Sequence, residues 1–173
     1  MKKLPKNISN YEELITENYY YVDKTKYIEL LENLNEKRIM FLRPRKFGKT
    51  LFTSMLEYYY DVNKSDKFAC LFKDTYIGKN PTKLKNSYYV LRFDFSGIDT
   101  SSKESTINGF RENVIRGLNT CINKYNLNYV IDENMSTEGI LDNFIMQFEI
   151  INKKLYVIID EYDHFANELL GFN

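Results

Sequence analysis

The chain has 173 residues, of which 43% are hydrophobic and 28% are charged. This composition predicts a soluble globular protein, and a chain of this length favours one domain over two. Basic and acidic side chains number 24 each. The zero net charge argues against binding nucleic acid or an anionic membrane through overall charge, so any anion site must be local.

The sequence also gives little support for a metal site, a disulfide framework or a membrane-spanning segment. Cys70 and Cys121 are isolated, which argues against a zinc site or a disulfide framework. His164 is the only histidine, which argues against a Ser-His-Asp triad. The longest apolar run is too short to span a bilayer, and no apolar stretch follows the basic start. We therefore expect a cytoplasmic protein.

The first half of the chain predicts a helix, a strand and a second helix. In "TKYIELLENL" the apolar residues share one helical face, and they are Tyr27, Ile28, Leu31 and Leu34. The following "KRIMFLRP" is a short apolar run closed by a proline, which predicts a buried strand. Apolar residues then repeat at helical spacing in "KTLFTSMLEYYY".

The second half predicts a strand, two helices and a last strand. "SYYVLRFDF" is rich in aromatic residues and predicts a strand, and apolar residues keep a helical rhythm from Lys103 to Leu127. "STEGILDNFIMQFEI" predicts a helix with Ser136 or Thr137 as its N-cap, and "LYVIID" a strand. Such alternation predicts an α/β fold with a mostly parallel sheet covered on both faces.

A candidate phosphate loop lies between the first strand and the helix that follows it. Gly48, Lys49 and Thr50 match the end of the pattern G-x-x-x-x-G-K-[ST], whereas Arg43 stands at its first glycine. The tripeptide alone occurs by chance in about one protein in ten of this length, so the strand, turn and helix around it provide the support. We expect Lys49 and Arg45 to contact phosphates and the Thr50 hydroxyl to bind Mg²⁺.

Two carboxylates directly follow the last predicted strand. A buried strand that ends in Asp160 places a charge where desolvation is costly unless a cation or hydrogen bonds compensate it. We expect Asp160 to bind Mg²⁺ and Glu161 to polarise the attacking water. The alternative is an ordinary strand end with solvated acids. In a parallel sheet, this end and the phosphate loop lie beyond the carboxyl ends of strands.

Four ordered blocks of the sequence resemble the AAA-ATPase-like family of bacterial and archaeal proteins. The blocks are "LPKNISNYEELITENYYYVDKT", "RPRKFGKTLFTSMLEYYY", "CLFKDTYIGKN" and "VIIDEYDHFANELL". The resemblance implies an incomplete P-loop NTPase-like fold of three layers with a mostly parallel sheet. It also implies that an Arg-Pro-Arg start of the loop is usual, and it gives Lys49, Thr50, Asp160 and Glu161 the roles named above. For "YVDKT" it leaves two alternatives, a place near the nucleotide or docking of the N-terminal segment.

Longer members of that family continue past the acidic strand and usually carry a nuclease-like domain of the PD-(D/E)xK type. The resemblance therefore implies that residues 1–173 are a single N-terminal ATPase-like fragment without that domain. Later strands and a sensor residue would be missing, so hydrolysis is expected to be weak or absent. An unpaired sheet edge would favour a protein partner or a homo-oligomer.

Three functions are consistent with these observations. The first is an ATP- and Mg²⁺-binding P-loop domain. The second is a catalytically incomplete relic that binds another protein, for example a mobile-element inhibitor of a host defence nuclease. The third is direct nucleic-acid binding through Arg43, Arg45 and Lys46, against which the zero net charge and the lack of a nucleic-acid motif both speak.

Overall fold

The computed structural model describes residues 2–42, 44 and 46–162. The chain divides into two compact units, residues 1–87 and residues 88–173. The first unit is helical and the second contains the sheet. The prediction that residues 1–173 form one ATPase-like domain stays a prediction.

Five α-helices and a short 3₁₀ helix form the described part of the first unit. They are α1 (Tyr11–Thr16), α2 (Lys26–Asn33), α3 (Lys49–Tyr60), the 3₁₀ helix Val62–Lys67, α4 (Phe68–Phe72) and α5 (Tyr76–Lys79). α1 packs against α3 and α4, and α5 packs against α2 and α4. The predictions of α2 and α3 are confirmed.

Tyrosine and phenylalanine rings dominate the core of this first unit. Tyr11, Tyr59 and Phe72 are fully buried, and the Phe72 ring contacts the rings of both tyrosines. The backbone N–H of Tyr11 donates to Ser54 Oγ at 3.0 Å, and its hydroxyl donates to the Leu71 carbonyl at 3.2 Å. The first unit is therefore held by aromatic packing and by hydrogen bonds between distant elements.

The described part of the second unit contains two strands and two long helices. They are β1 (Tyr89–Asp94), α6 (Lys103–Tyr125), α7 (Thr137–Ile150) and β2 (Leu155–Asp160). β1 and β2 pair in parallel, with Tyr89 opposite Leu155 and Asp94 opposite Asp160. The α/β class and the parallel sheet are thus confirmed. Ser136 is the N-cap of α7, because its hydroxyl accepts from the backbone of Gly139.

The core of the second unit lies between β1, α6 and α7. Its buried side chains are mostly apolar and include Phe93, Leu118 and Phe144. Gly117 lets α6 approach β1 closely, because a Cβ there would lie 2.6 Å from Cδ1 of the Phe93 ring and 3.2 Å from the Arg92 carbonyl oxygen. A glycine is therefore required on this face of α6 by packing.

The predicted strand at residues 37–44 is wrong. Residues 38–42 form no regular secondary structure, and Met40 and Leu42 are 67% and 77% exposed. A strand needs a neighbour for its backbone N–H and C=O groups, and in the described part of the chain the sheet contains only β1 and β2. An apolar run alone therefore did not specify a strand.

Two further expectations about buried faces hold only in part. In α2, Ile28 is buried, but Tyr27 and Leu34 are 53% and 59% exposed. In β2, Val157 and Ile159 are 43% and 50% exposed although their β1 partners Leu91 and Phe93 are buried. The sheet cover that the sequence predicted is therefore incomplete over β2 within the described residues.

Candidate functional site

The predicted phosphate residues lie together at the N-terminus of α3. Gly48 is the N-cap, with φ of 77° and ψ of 26°, and Lys49 and Thr50 are the first two residues of the helix. Space around a Cβ at position 48 is open, so the left-handed backbone alone explains the glycine. Gly48 provides no side-chain acceptor for the first turn of α3.

The N-terminus of α3 differs in this respect from several other helices of the chain. Side chains accept hydrogen bonds at the starts of α1, α5, α6 and α7, where the N-caps are Asn10, Thr75, Ser102 and Ser136, whereas α2, α3 and α4 begin without such a bond. A helix start without a side-chain acceptor directs its backbone N–H groups and positive dipole end toward solvent or a ligand. An anionic ligand such as a phosphate suits this position.

The loop that leads into α3 is exposed and turns sharply. Lys46 has a left-handed φ of 67°, Phe47 is 62% exposed, and the backbone N–H of Phe47 faces the Pro44 carbonyl at 3.4 Å. The Phe41 ring contacts the Phe52 ring edge to face, with centroids 5.1 Å apart. This aromatic contact fixes the approach of the loop to the first turns of α3.

The predicted acidic residues lie together at the end of β2. Asp160 is 4% exposed, and its Oδ2 accepts a hydrogen bond from Nη2 of Arg92 at 2.8 Å. Its Oδ1 accepts from the backbone N–H of Glu161 at 3.1 Å. Glu161 itself is partly exposed and has a left-handed φ of 52°. The buried carboxylate is thus compensated by a guanidinium and a backbone donor.

Sequence reasoning missed two residues beside Asp160. Arg92 supplies the ion pair, and Asp94, which is exposed, stands directly opposite Asp160 in the register of the sheet. A charged residue inside an otherwise apolar strand is a detectable signal, since it needs a partner on the same face. Which partner it takes depends on the register, which the sequence does not display.

Residues of the "YVDKT" block dock the N-terminal segment onto α5. Docking was one of the two alternatives that the sequence left open for this block. The Asp23 carboxylate accepts from the backbone N–H of Tyr76 at 2.7 Å, and Thr25 Oγ1 accepts from that of Ile77 at 3.1 Å. Thr25 is completely buried. These side chains satisfy donors in the first turn of α5 from a segment about fifty residues earlier.

The structure brings the predicted residues together as two separate groups. Gly48, Lys49 and Thr50 belong to the first unit, and Asp160 and Glu161 belong to the second. Arg45, the remaining phosphate candidate, lies outside the described residues. The roles of all six residues remain predictions.

The oxygen donors of these two groups suit a divalent cation such as Mg²⁺. Each group offers a hard donor, the Thr50 hydroxyl or the Asp160 carboxylate, and Mg²⁺ bound with a nucleotide takes its other ligands from phosphates and water. Among residues 2–42, 44 and 46–162 no group of three or more His, Cys, Asp or Glu side chains could hold a metal.

No helix among the described residues combines the length and apolar character needed to cross a membrane. Cys70 is exposed and Cys121 is buried.

Comparison with known families gives a match that covers nearly the whole chain. The family described as predicted AAA-ATPase matches residues 5–173. No curated protein and no solved structure matches the sequence. The match includes the loop before α3 and the acidic end of β2, where the predicted site residues lie. The chain therefore belongs to the AAA-ATPase-like family.

Proposed function

We propose that the chain binds ATP together with Mg²⁺, with the phosphates at the N-terminus of α3. One observation carries the proposal, the left-handed Gly48 that opens α3 without a side-chain cap and is followed by Lys49 and Thr50. The backbone N–H groups of this first turn and the Lys49 ammonium would hold the phosphates, and the Thr50 hydroxyl would hold the cation.

The proposed roles of the acidic end follow from the chemistry of its side chains. Asp160 would bind a divalent cation through a carboxylate oxygen, and Glu161 would accept a proton from the attacking water. We infer weak or absent hydrolysis by the chain alone, because both Asp160 oxygens already accept hydrogen bonds from Arg92 and Glu161. A carboxylate held in this way competes poorly for a metal ion.

Titration of the chain with fluorescently labelled ATP and Mg²⁺ tests the proposal. Lys49→Ala should weaken binding by about 10- to 100-fold, because a charge-assisted hydrogen bond to phosphate is lost. Lys79→Ala removes the same charge from an exposed position in α5 and is the matched control, expected to bind as the wild type does. Equal binding by wild type and Lys49→Ala, or none by either folded protein, contradicts the proposal.

A protein-binding module is the second candidate, and the open side of β2 favours it. In the described part of the chain β2 pairs with β1 on one edge, and Val157 and Ile159 are half exposed. This function predicts that the wild type binds no nucleotide in the same titration and that light scattering gives a mass above that of one chain. A monomer that binds ATP with the expected dependence on Lys49 excludes it as the main function.

A further inference from the structure

The carboxylates of α2 face the rest of the first unit. Glu29 accepts a hydrogen bond from the Tyr76 hydroxyl at 2.6 Å, and Glu32 accepts one from the Tyr60 hydroxyl at 3.0 Å. Ile28, which lies one turn before Glu32 on the same side of the helix, is completely buried. Hydrogen bonds and a buried aliphatic side chain therefore attach α2 to its unit.

The opposite side of α2 is apolar and exposed. Tyr27, Leu30 and Leu34 are 53%, 46% and 59% exposed, and Leu34 continues the helical backbone as the C-cap. Their spacing of three and four residues puts them on one side of the helix, away from the two carboxylates. A surface helix usually buries its apolar stripe and exposes its charges, and α2 does the reverse. Such an exposed stripe is typical of a surface that binds another molecule.

The α2 stripe, made of Tyr27, Leu30 and Leu34, is complementary to itself when two copies of α2 lie antiparallel. Its two outer residues are equally far along the chain from the midpoint between Leu30 and Leu31. A twofold axis through that midpoint would bring Tyr27 of each copy against Leu34 of the other, and the two Leu30 side chains together at the centre. Antiparallel helices also place opposite dipole ends side by side. The stripe therefore fits a second copy of this chain.

The charges at the two ends of the α2 stripe favour the same arrangement. Lys26 is exposed in the first turn of α2, and Glu36 is exposed just beyond its end. Antiparallel pairing would place Lys26 of each copy near Glu36 of the other, whereas parallel pairing would place like charges together. Lys37 and Arg38 are exposed at the same end and reduce this attraction. The charges therefore set the orientation of the pair more than its strength.

We propose that the α2 stripe is a homodimer interface, in which α2 packs antiparallel against α2 of a second copy. The apolar side chains supply the contact, and Lys26 and Glu36 align the two helices. One short helix makes a small interface, so the dimer should dissociate in the micromolar range. The inference goes beyond the proposed function, because none of the phosphate or acidic residues takes part in this contact.

Sedimentation velocity of the whole chain over a wide range of protein concentration tests the inference. The wild type should change from monomer to dimer as the concentration rises. Leu30→Glu puts a charge at the centre of the stripe and should raise the dissociation constant of the dimer more than about tenfold. Val130→Glu makes a similar change at an exposed position of the second unit and should dimerise as the wild type does. A wild type that is monomeric throughout, or a dimer that folded Leu30→Glu retains, overturns the inference.

Exchange of the two charges tests the antiparallel orientation and does not depend on the folding of Leu30→Glu. Lys26→Glu and Glu36→Lys should each weaken the dimer about 3- to 10-fold, because each leaves two like charges facing each other. The double variant restores opposite charges and should dimerise as the wild type does. A double variant that dimerises no better than either single variant overturns the proposed arrangement.

Ile159→Lys separates this interface from the open side of β2. Ile159 is half exposed on β2, and its substitution should leave the dimer unchanged. Loss of the dimer in Ile159→Lys together with its retention in Leu30→Glu assigns the association to β2 and overturns the inference. Lys49→Ala should dimerise as the wild type does, so a failure of ATP binding leaves these results interpretable.

Discussion

The two units are stabilised by different kinds of contact. In the first unit, tyrosine hydroxyls bond to carboxylates on other elements, as Tyr58 does to Glu12 at 2.7 Å and Tyr60 to Glu32 at 3.0 Å. In the second unit, β1, α6 and α7 enclose a cluster made mostly of aliphatic and phenylalanine side chains. The phosphate loop therefore belongs to a unit in which hydrogen bonds between elements add to aromatic packing, whereas the acidic strand end belongs to a unit held mainly by apolar packing.

The same contrast appears at the candidate site residues themselves. The loop before α3 is exposed, and its conformation depends on the backbone of Gly48. Asp160 is buried at the edge of the apolar unit and is fixed by one strong ion pair. We therefore expect changes in the second unit to act mainly through packing, and changes to the polar contacts of the first unit to act through individual hydrogen bonds.

The largest effect is expected from Phe144→Ala in the second unit. Phe144 is fully buried, and its ring contacts those of Tyr129 and Phe148 edge to face. Loss of the ring should lower the free energy of unfolding by about 3 to 5 kcal/mol, through lost burial and the cavity left behind. Urea denaturation followed by circular dichroism measures this change.

Ile145→Ala is the matched control on the same helix. Ile145 is 42% exposed, so its truncation should cost less than about 1 kcal/mol. Similar losses for the two variants would show that the second unit does not depend on the apolar cluster, and the contrast between the units would fail.

Periodic patterns explain why much of the fold could be predicted from the sequence. In α6 and α7 the apolar residues recur at helical spacing because one face of each helix is buried. The spacing alone therefore predicts which face is buried. Strands β1 and β2 were predictable as aromatic and β-branched runs. The run at residues 37–44 resembles them in composition, but whether a strand forms depends on a neighbour that composition does not show.

A smaller loss is expected when the docking of the N-terminal segment is broken. Thr25→Val keeps the shape of the side chain but removes the acceptor for the backbone N–H of Ile77, and both residues are completely buried. An unsatisfied buried donor should cost about 1 to 3 kcal/mol. Hydrogen exchange at the Ile77 amide should accelerate in proportion.

Thr16→Val provides the comparison within the same unit. Thr16 is exposed on α1, where its hydroxyl donates to the Glu12 carbonyl at 2.8 Å, so its loss should change stability by less than about 0.5 kcal/mol. Unchanged exchange at Ile77 in Thr25→Val would mean that the first unit does not rely on this hydrogen bond.

Contacts between distant residues explain what the sequence could not reveal about the site. The residue types at Lys49, Thr50, Asp160 and Glu161 indicated phosphate and metal chemistry because each suits such a ligand. The pairing of Arg92 with Asp160 spans 68 positions, and that of Ile77 with Thr25 spans 52. Such partners are set by strand register and helix docking, which no local pattern specifies.

The smallest effect is expected from a titratable contact in the first unit. The Lys67 ammonium and the Tyr58 hydroxyl both donate to the Glu12 carboxylate. Together they hold the pKa of Glu12 below its ordinary value, with Lys67 making the larger contribution. Burial, with a smaller contribution from the hydrogen bond to Glu12, raises the pKa of Tyr58 to about 12. The Glu12 and Lys67 side chains are 30% and 38% exposed, so solvent screens much of their attraction.

The lowered pKa of Glu12 fixes the direction of its pH dependence. Its contribution to stability is complete above the ordinary pKa of a glutamate and is lost as the pH falls through the lower pKa of the folded state. Glu12→Gln should therefore destabilise the first unit near neutral pH, and its stability should fall less than that of the wild type on acidification. Glu13→Gln removes an exposed carboxylate from the same helix. If urea denaturation across the acidic range gives the same pH profile for both variants, the hydrogen bonds to Glu12 do not stabilise this unit.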